Sequence, residues 1–548
     1  MSKTKTLNYA LLCTAAVGAL VLARPAMAQS DTQIQSIEQQ IKKLQGQLGQ
    51  VKADLTARDH ALKAAQQQAK DAQAQAAAAQ AQAAHTAATV AAAPVAAATA
   101  APAEPYMPAL KQGQFRVGAL TVTLGGFAAL EGLDRSRNMA GTVDTSFNSI
   151  PFASSPNYRV PEFRETAQQS RFSLLTEGQI DDHQKLTGYL ETDFLSAGSS
   201  SNNNQSNSYT LRMRQFWGEY DNTAWGLHVL AGQAYSLATP YRTGLVVRQE
   251  NIPLTIEAQY VVGFNWARQA ALRIAKDFDN HQIWAGLSIE EPATTYSGSL
   301  PGNITQESTT LGGSNVNSTT TYSNNNAPDI IAKLAADPGW GHYEVFGLLR
   351  FLDANEAFSG VTNGYHSQVT TGEGIGGSMI VPLIPTKLEF QASGLFGKGV
   401  GRYGTSQLPD VTFSSTGKVE PLTEFSVMGG FVAHPTPLID IYAYAGAEGA
   451  DQKSYGGTYG YGAPDVDLAG CYTTLGSCSA VTSNIVEGTV GAWWRVIKSA
   501  YGTAQLGAQY EYVERTAFQG IGNSEAQRLT PSTNENMFLF SVRYLPFQ

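Results

Sequence analysis

Two different periodicities divide the chain. From Ile34, apolar residues recur at Ile34, Ile37, Ile41, Leu44, Leu48, Val51 and Leu55, and Leu62 resumes the series after Arg58 occupies one seam position. Alternating spacings of three and four place them on one helical stripe, the a and d seam of a heptad repeat. Ile at both seam positions in the first heptads favours three or four strands over two, so the seam predicts a trimeric coiled coil. The rest of the surface is almost entirely Gln, Lys, Glu and Asp, which leaves a single docked helix nothing to pack against. From Ala64 the chain turns to Ala and Gln, and Pro94, Pro102, Pro105 and Pro108 then end helix formation. Beyond Gln112 the period falls to two, and sixteen segments alternate apolar with polar positions. They begin with Val117 to Leu133, Gln169 to Asp181, Lys185 to Ser196 and Tyr209 to Tyr220, include His342 to Leu352 and Gly374 to Leu383, and end with Tyr501 to Glu514 and Asn536 to Phe547.

The connections decide the architecture. After even segments they are brief and turn-like, as in DDHQ, DNTA, FDNH, DPGWG and KSAYG. After odd segments they are long and rich in Gly, Ser, Asn and Thr, as in SAGSSSNNNQSN and the tract from Pro292 to Pro328. A soluble sandwich has no reason to alternate loop length so regularly, whereas an up-and-down transmembrane barrel requires it. In the final segment, ENMFLFSVRYLPFQ, the side chains of Phe538, Phe540, Val542 and Tyr544 share one face and those of Leu539, Ser541 and Arg543 share the other. The reading is an all-β transmembrane barrel of about sixteen antiparallel strands, with the aromatic row facing lipid and the last strand closing against the first. Lipid tolerates no open sheet edge.

Composition sets the compartment. Lys3 and Lys5 precede an apolar run from Ala10 to Ala23 and the small-x-small site Ala26-Met27-Ala28, the pattern of an export signal. The expected division is a signal peptide at 1–28, a periplasmic coiled-coil stalk at 29–85, an Ala/Pro-rich linker at 86–112 and an outer-membrane barrel at 113–548. Losing Lys3, Lys5 and Arg24 with the leader takes the formal net charge from −9 to −12, which argues against nucleic acid as a partner. Cys471 and Cys478 remain, close together in a Gly-rich stretch, and in an oxidising compartment a disulfide is the expected state. The expected location is the outer membrane of a Gram-negative bacterium.

If the apolar set of each strand faces lipid, the other set lines a channel. That parity turns Arg171, Ser173 and Glu177 inward on one segment, Lys185, Tyr189, Glu191 and Asp193 on the next, and Arg212 and Arg214 on the third. Arg268 and Arg273 have opposite parity, and Arg273 is taken as the pore-lining one. Arg242 and Arg248 lie in the third long connection, residues 239–263, whose apolar content suggests that it folds inward. Guanidinium and carboxylate groups around a narrow aqueous lumen would select solutes by charge. The barrel histidines fall into no nucleophile motif, so no enzymatic activity, cofactor or metal is expected. The rival roles are a tether holding the envelope through the stalk and, more remotely, a barrel hydrolase.

The signal sequence, the Ile-rich coiled coil and the segments QSRFSLLTEG, LRMRQFWGEY and AGQAYSL together resemble the DcaP-like trimeric porins. The resemblance runs over nearly the whole mature chain. It implies a homotrimer of sixteen-stranded barrels in outer-membrane lipid, admitting small negatively charged organic acids through an arginine-lined constriction. Arg171, Arg212 and Arg214 stand in matching strand contexts.

Overall fold

In a computed structural model, residues 110–547 are described except 199–203, 308, 312–320 and 359–363, together with Lys63, Gln67 and Lys70. Those three residues are helical and exposed. The leader, the Ile34 to Leu55 seam and the linker up to residue 109 lie outside the described residues.

Sixteen antiparallel strands close into one barrel. The first eight are β1 (Leu120–Arg135), β2 (Arg171–Gln179), β3 (Gln184–Asp193), β4 (Arg212–Asn222), β5 (Leu227–Tyr235), β6 (Arg268–Phe278), β7 (Ile283–Glu290) and β8 (Asp329–Ala336). The rest are β9 (His342–Phe358), β10 (Tyr365–Ile384), β11 (Leu388–Lys398), β12 (Thr423–Thr436), β13 (Ile439–Ala450), β14 (Thr482–Ser499), β15 (Gly502–Ala517) and β16 (Ser532–Leu545). Closure runs β1 against β16, with Leu130 opposite Val542 and Gly132 opposite Phe540. The predicted segments coincide with these strands to within a few residues at most ends. The main differences are β9 and β10, which run 17 and 20 residues, beyond the expected His342 to Leu352 and Gly374 to Leu383. Those extra residues shorten the connection between them to 359–364.

The period-two pattern sets the two faces. Phe538, Val542 and Tyr544 are exposed while Leu539 and Ser541 are buried, and the same alternation exposes Phe172, Leu186, Met213, Ile274, Phe396 and Val490. Exposed apolar side chains at this density form the band that lipid requires. Trp225, Trp340 and Tyr501, in the short turns, are 67%, 65% and 84% exposed. Amphipathic rings at one rim suit a membrane–water interface.

The interior departs from a plain polar lumen. Loop L3, residues 236–267, folds into the barrel, where Tyr241, Ile256, Val261, Val262 and Phe264 are at or below 1% exposure. It packs with Val143, Phe147 and Ile150 of the first loop and with inward residues Met428, Tyr442, Trp493, Val513 and Met537 of the wall. Apolar side chains on the inner face thus become a core instead of a channel lining. Backbone amides buried this way need acceptors, and wall side chains supply them. The nitrogens of Leu237, Val262 and Gly263 donate to Glu290, Glu487 and Glu448 at 2.8, 2.6 and 2.7 Å. Ile256 N donates to Gln509 Oε1 at 2.6 Å, and Trp493 Nε1 donates to the Leu254 carbonyl at 2.7 Å. L3 is therefore fastened to β7, β13, β14 and β15. Where its backbone meets the wall, Gly263 has φ +90°, and a Cβ on Gly446 of β13 would collide with the Val262 carbonyl.

Cys471 and Cys478 form a disulfide in the loop between β13 and β14. A ring this short constrains the unfolded chain only modestly, so replacing both with Ser should cost no more than about 2–3 kcal/mol. Alkylation of denatured, unreduced protein should find no free thiol at either position; two reactive thiols would contradict the bridge.

Glu257 of L3 accepts from Thr145 N at 2.9 Å and from Thr145 Oγ1 at 2.6 Å. Burial pushes its carboxyl up to about 7, against the opposing pull of Arg135 and of the Thr145 hydrogen bonds. A folded-state value above the unfolded one makes this contribution full in acid and lost as pH rises through about 7. Channel current noise from L3 excursions should therefore grow above neutrality, and Glu257→Gln should flatten that dependence. Noise independent of pH in the wild-type channel would refute the assignment.

Candidate functional site

A cavity of about 290 Å³ lies between L3 and the wall formed by β16 and β1 to β5. Phe127, Arg171, Tyr189, Glu191, Arg214 and Arg543 line it from the wall, and Arg248, Glu250, Glu257 and Tyr260 from L3. Arg543 reaches it by the parity of the final strand.

The β4 arginines are held by the preceding strand. Asp193 receives Arg212 Nε and Nη2, each at 2.8 Å, and Arg214 Nη1 at 2.9 Å. Glu191 receives Arg214 Nε at 2.6 Å and the Tyr189 hydroxyl at 3.0 Å. A bulge makes this convergence possible: Glu191 pairs with Gln215 and Thr192 with Met213, so Arg214 is the extra residue. Arg214 and Gln215 consequently both turn inward, at 4% exposure each. Arg214 Nη2 also donates to the hydroxyls of Tyr235, at 3.0 Å, and Tyr260, at 3.4 Å. With its donors committed, Arg214 ties β3, β5 and L3 together. Arg212 is not among the residues lining the cavity.

Other cations at the cavity keep capacity. Arg171 reaches Glu191 only at 3.5 Å, and its buried Nε has no hydrogen-bond partner among the described residues. Arg248, in L3 with φ 65°, lies with its guanidinium 4.8 Å from the Tyr189 ring centroid. It is exposed and makes no side-chain ion pair among the described residues. Arg543 is more constrained, donating to Glu131 at 3.0 Å and Gln169 at 2.9 Å while lying over the Phe127 and Trp493 rings.

Two arginines expected at the pore sit elsewhere. Arg273 is 2% exposed beneath L3 and donates to the Tyr241 hydroxyl at 2.5 Å, so it supports the loop and does not line the cavity. Arg268, its alternative, opens β6 with its guanidinium beside the Tyr235 and Trp266 rings. Arg242 faces a separate cavity of about 580 Å³ with Glu389, Asp440, Arg495 and Lys498. There it pairs with Glu389 at 2.9 Å and donates to Asn251 at 2.9 Å. Sequence parity had no means of finding Tyr260, because L3 carries no period.

Neither a family model nor a curated protein matches the chain. Among solved structures, the outer membrane channel DcaP of Acinetobacter baumannii is similar with a TM-score of 0.55 at 17% identity, over 79% of this chain and all of that one. An anion-selective porin from Comamonas acidovorans aligns over 78% of this chain and 99% of its own, at 11% identity and a TM-score of 0.43. The barrel of this chain thus has the fold of the DcaP outer membrane channel.

Proposed function

We propose that this protein is a passive outer-membrane channel that favours small organic anions. The observation that carries this reading is the difference among the constriction arginines. Arg212 and Arg214 are neutralised by Asp193 and Glu191, whereas Arg171 and Arg248 hold charge that no carboxylate fully claims. A carboxylate entering the cavity replaces water around those guanidiniums with charge-assisted hydrogen bonds. Glu191, Glu250 and Glu257 around the same space keep its hold weak, and weak holding is what throughput requires. The overall acidity does not oppose this, since charges beyond a Debye length of about 8 Å are screened at physiological salt. DcaP in Acinetobacter baumannii is described as an outer membrane channel, which fits the same role. The Ile34 to Leu55 seam supports a homotrimer whose stalk, residues 29–85, stands in the periplasm of a Gram-negative cell.

Reversal potentials under a salt gradient test the selectivity. Arg171→Ala with Arg248→Ala should lower the anion-to-cation permeability ratio by about tenfold, equivalent to about 1.4 kcal/mol in the entry barrier. Arg212→Gln, which leaves Asp193 paired with Arg214, should lower that ratio far less than the first pair does. Cation preference in the wild type, or no response to the first pair, would overturn the reading. Unboiled gel migration or mass photometry of the intact protein should show trimers; monomers alone would remove the seam's assigned role.

A further inference from the structure

Near the periplasmic rim, a second set of side chains has chemistry that anion passage does not use. Glu219 and Asp221 are two apart on β4 and so share its inner face, and Asp221 is the direct cross-strand partner of His228 on β5. One ligand atom from each of the three lies within 4.8 Å of the others. We propose that Glu219, Asp221 and His228 bind a transition-metal dication of the zinc class.

The donor set selects that class. One imidazole nitrogen with two carboxylates suits borderline cations such as Zn²⁺, Ni²⁺ or Cu²⁺, whereas Mg²⁺ and Ca²⁺ prefer oxygen alone. Bond lengths of about 2.0–2.2 Å require Glu219 to draw in while Asp221 and His228 part slightly around the ion, within reach of χ rotations. Three protein ligands leave one position for water or a passing solute, the form of an open site.

Three further observations bear on this set. Glu219 makes no hydrogen bond or ion pair among the described residues, although it stands beside Asp221 on one strand face. Carboxylates outnumber cations here: Glu177, Glu219, Asp221 and Asp277 face Lys185, which approaches Asp221 and Glu177 only at 3.5 and 3.7 Å, with Arg248 across the cavity and the buried Arg273 beside Glu219. His183 and His281 are the other titratable neighbours, the latter bonded to Asp277 at 2.5 Å. Finally, the three ligands open onto a cavity of about 310 Å³, which Lys185, Thr223 and Val246 to Arg248 of L3 also line. An ion thus has a wetted approach.

His228 is already oriented for the task. Its Nδ1 lies 2.7 Å from Asp221 Oδ1 and its ring stacks on Trp284 at 5.0 Å, so rotation is restricted. Its Nε2 faces Asp277 Oδ2 at 3.4 Å. Nδ1 faces Asp221, so an ion held with Asp221 takes Nδ1 in place of the proton between them and leaves Nε2–H to donate to Asp277, the carboxylate–histidine arrangement that orients metal-ligating imidazoles. A bound dication would cancel two carboxylate charges on the route out of the constriction, so occupancy would tune how strongly the wall repels anions.

The test is calorimetric titration of the full-length, untagged protein in detergent with Zn²⁺, paired with the visible spectrum of added Co²⁺. The expected result is saturable uptake weakened at least about tenfold in both Glu219→Gln and His228→Ala, since even outer-shell partners act on that scale. Exposed His366→Ala should bind as wild type. Co²⁺ should give ligand-field bands that lose intensity in His228→Ala. If His228→Ala fails to migrate as a folded, heat-modifiable barrel, the nearly isosteric Glu219→Gln decides the matter. Absence of Zn²⁺ uptake, or uptake indifferent to both substitutions, would show that the three residues form only an ion-pair network with Lys185 and Asp277. None of these readouts depends on anion preference.

Discussion

A loop cannot be folded into a barrel unless its backbone hydrogen bonds are met there, and in this protein the wall meets them with carboxylates. Glu290, Glu448 and Glu487 each accept from an amide nitrogen of L3, and Gln509 accepts a fourth. Unmade, each such bond would cost about 1–3 kcal/mol. The remaining interior follows from this. The docked loop covers the inward apolar side chains of β12 to β16, completes a core with the first loop, and leaves one cavity against β1 to β5 and another against β11 to β14. On the proposed function, selectivity is set by the few guanidiniums that line the first of these cavities.

Those guanidiniums divide by how well they are paired. Asp193 and Glu191 convert Arg212 and Arg214 into struts, and the buried Arg214 also holds the hydroxyls of Tyr235 and Tyr260. Removing one member of such a set leaves an uncompensated buried charge, which destabilises more than the intact pair stabilises. Arg171 meets a carboxylate only at 3.5 Å and Arg248 meets none among the described residues, so on the proposed function a solute displaces water there and not a fixed carboxylate. One cavity thus contains both tightly and loosely paired arginines.

Much of the fold was legible in the sequence, for a definite reason. Lipid demands an apolar outer row at period two, so Phe538, Val542 and Tyr544 could be placed before any coordinates, and loop-length alternation set the strand order. The inner face obeys no such rule. Met428, Tyr442, Trp493 and Met537 point inward because L3 covers them, and residues 252–264 advertise this only through apolar content. The site was legible in part. Parity brought Arg171, Glu191, Asp193, Arg212 and Arg214 to one wall, but the bulge at Arg214 and its burial depend on register, which parity cannot count. Arg273 was misplaced because inward parity does not distinguish a side chain facing water from one beneath a loop. The trimer seam from Ile34 to Leu55 lies outside the described residues and stands on its heptads alone.

The central claim is that a wall-fastened L3 obstructs the lumen of a sixteen-strand barrel. Liposome swelling with a series of neutral solutes of increasing size tests it directly. Swelling rates should fall steeply over a narrow range of solute size. Rates declining only gradually with solute size, as for an unobstructed barrel, would contradict it.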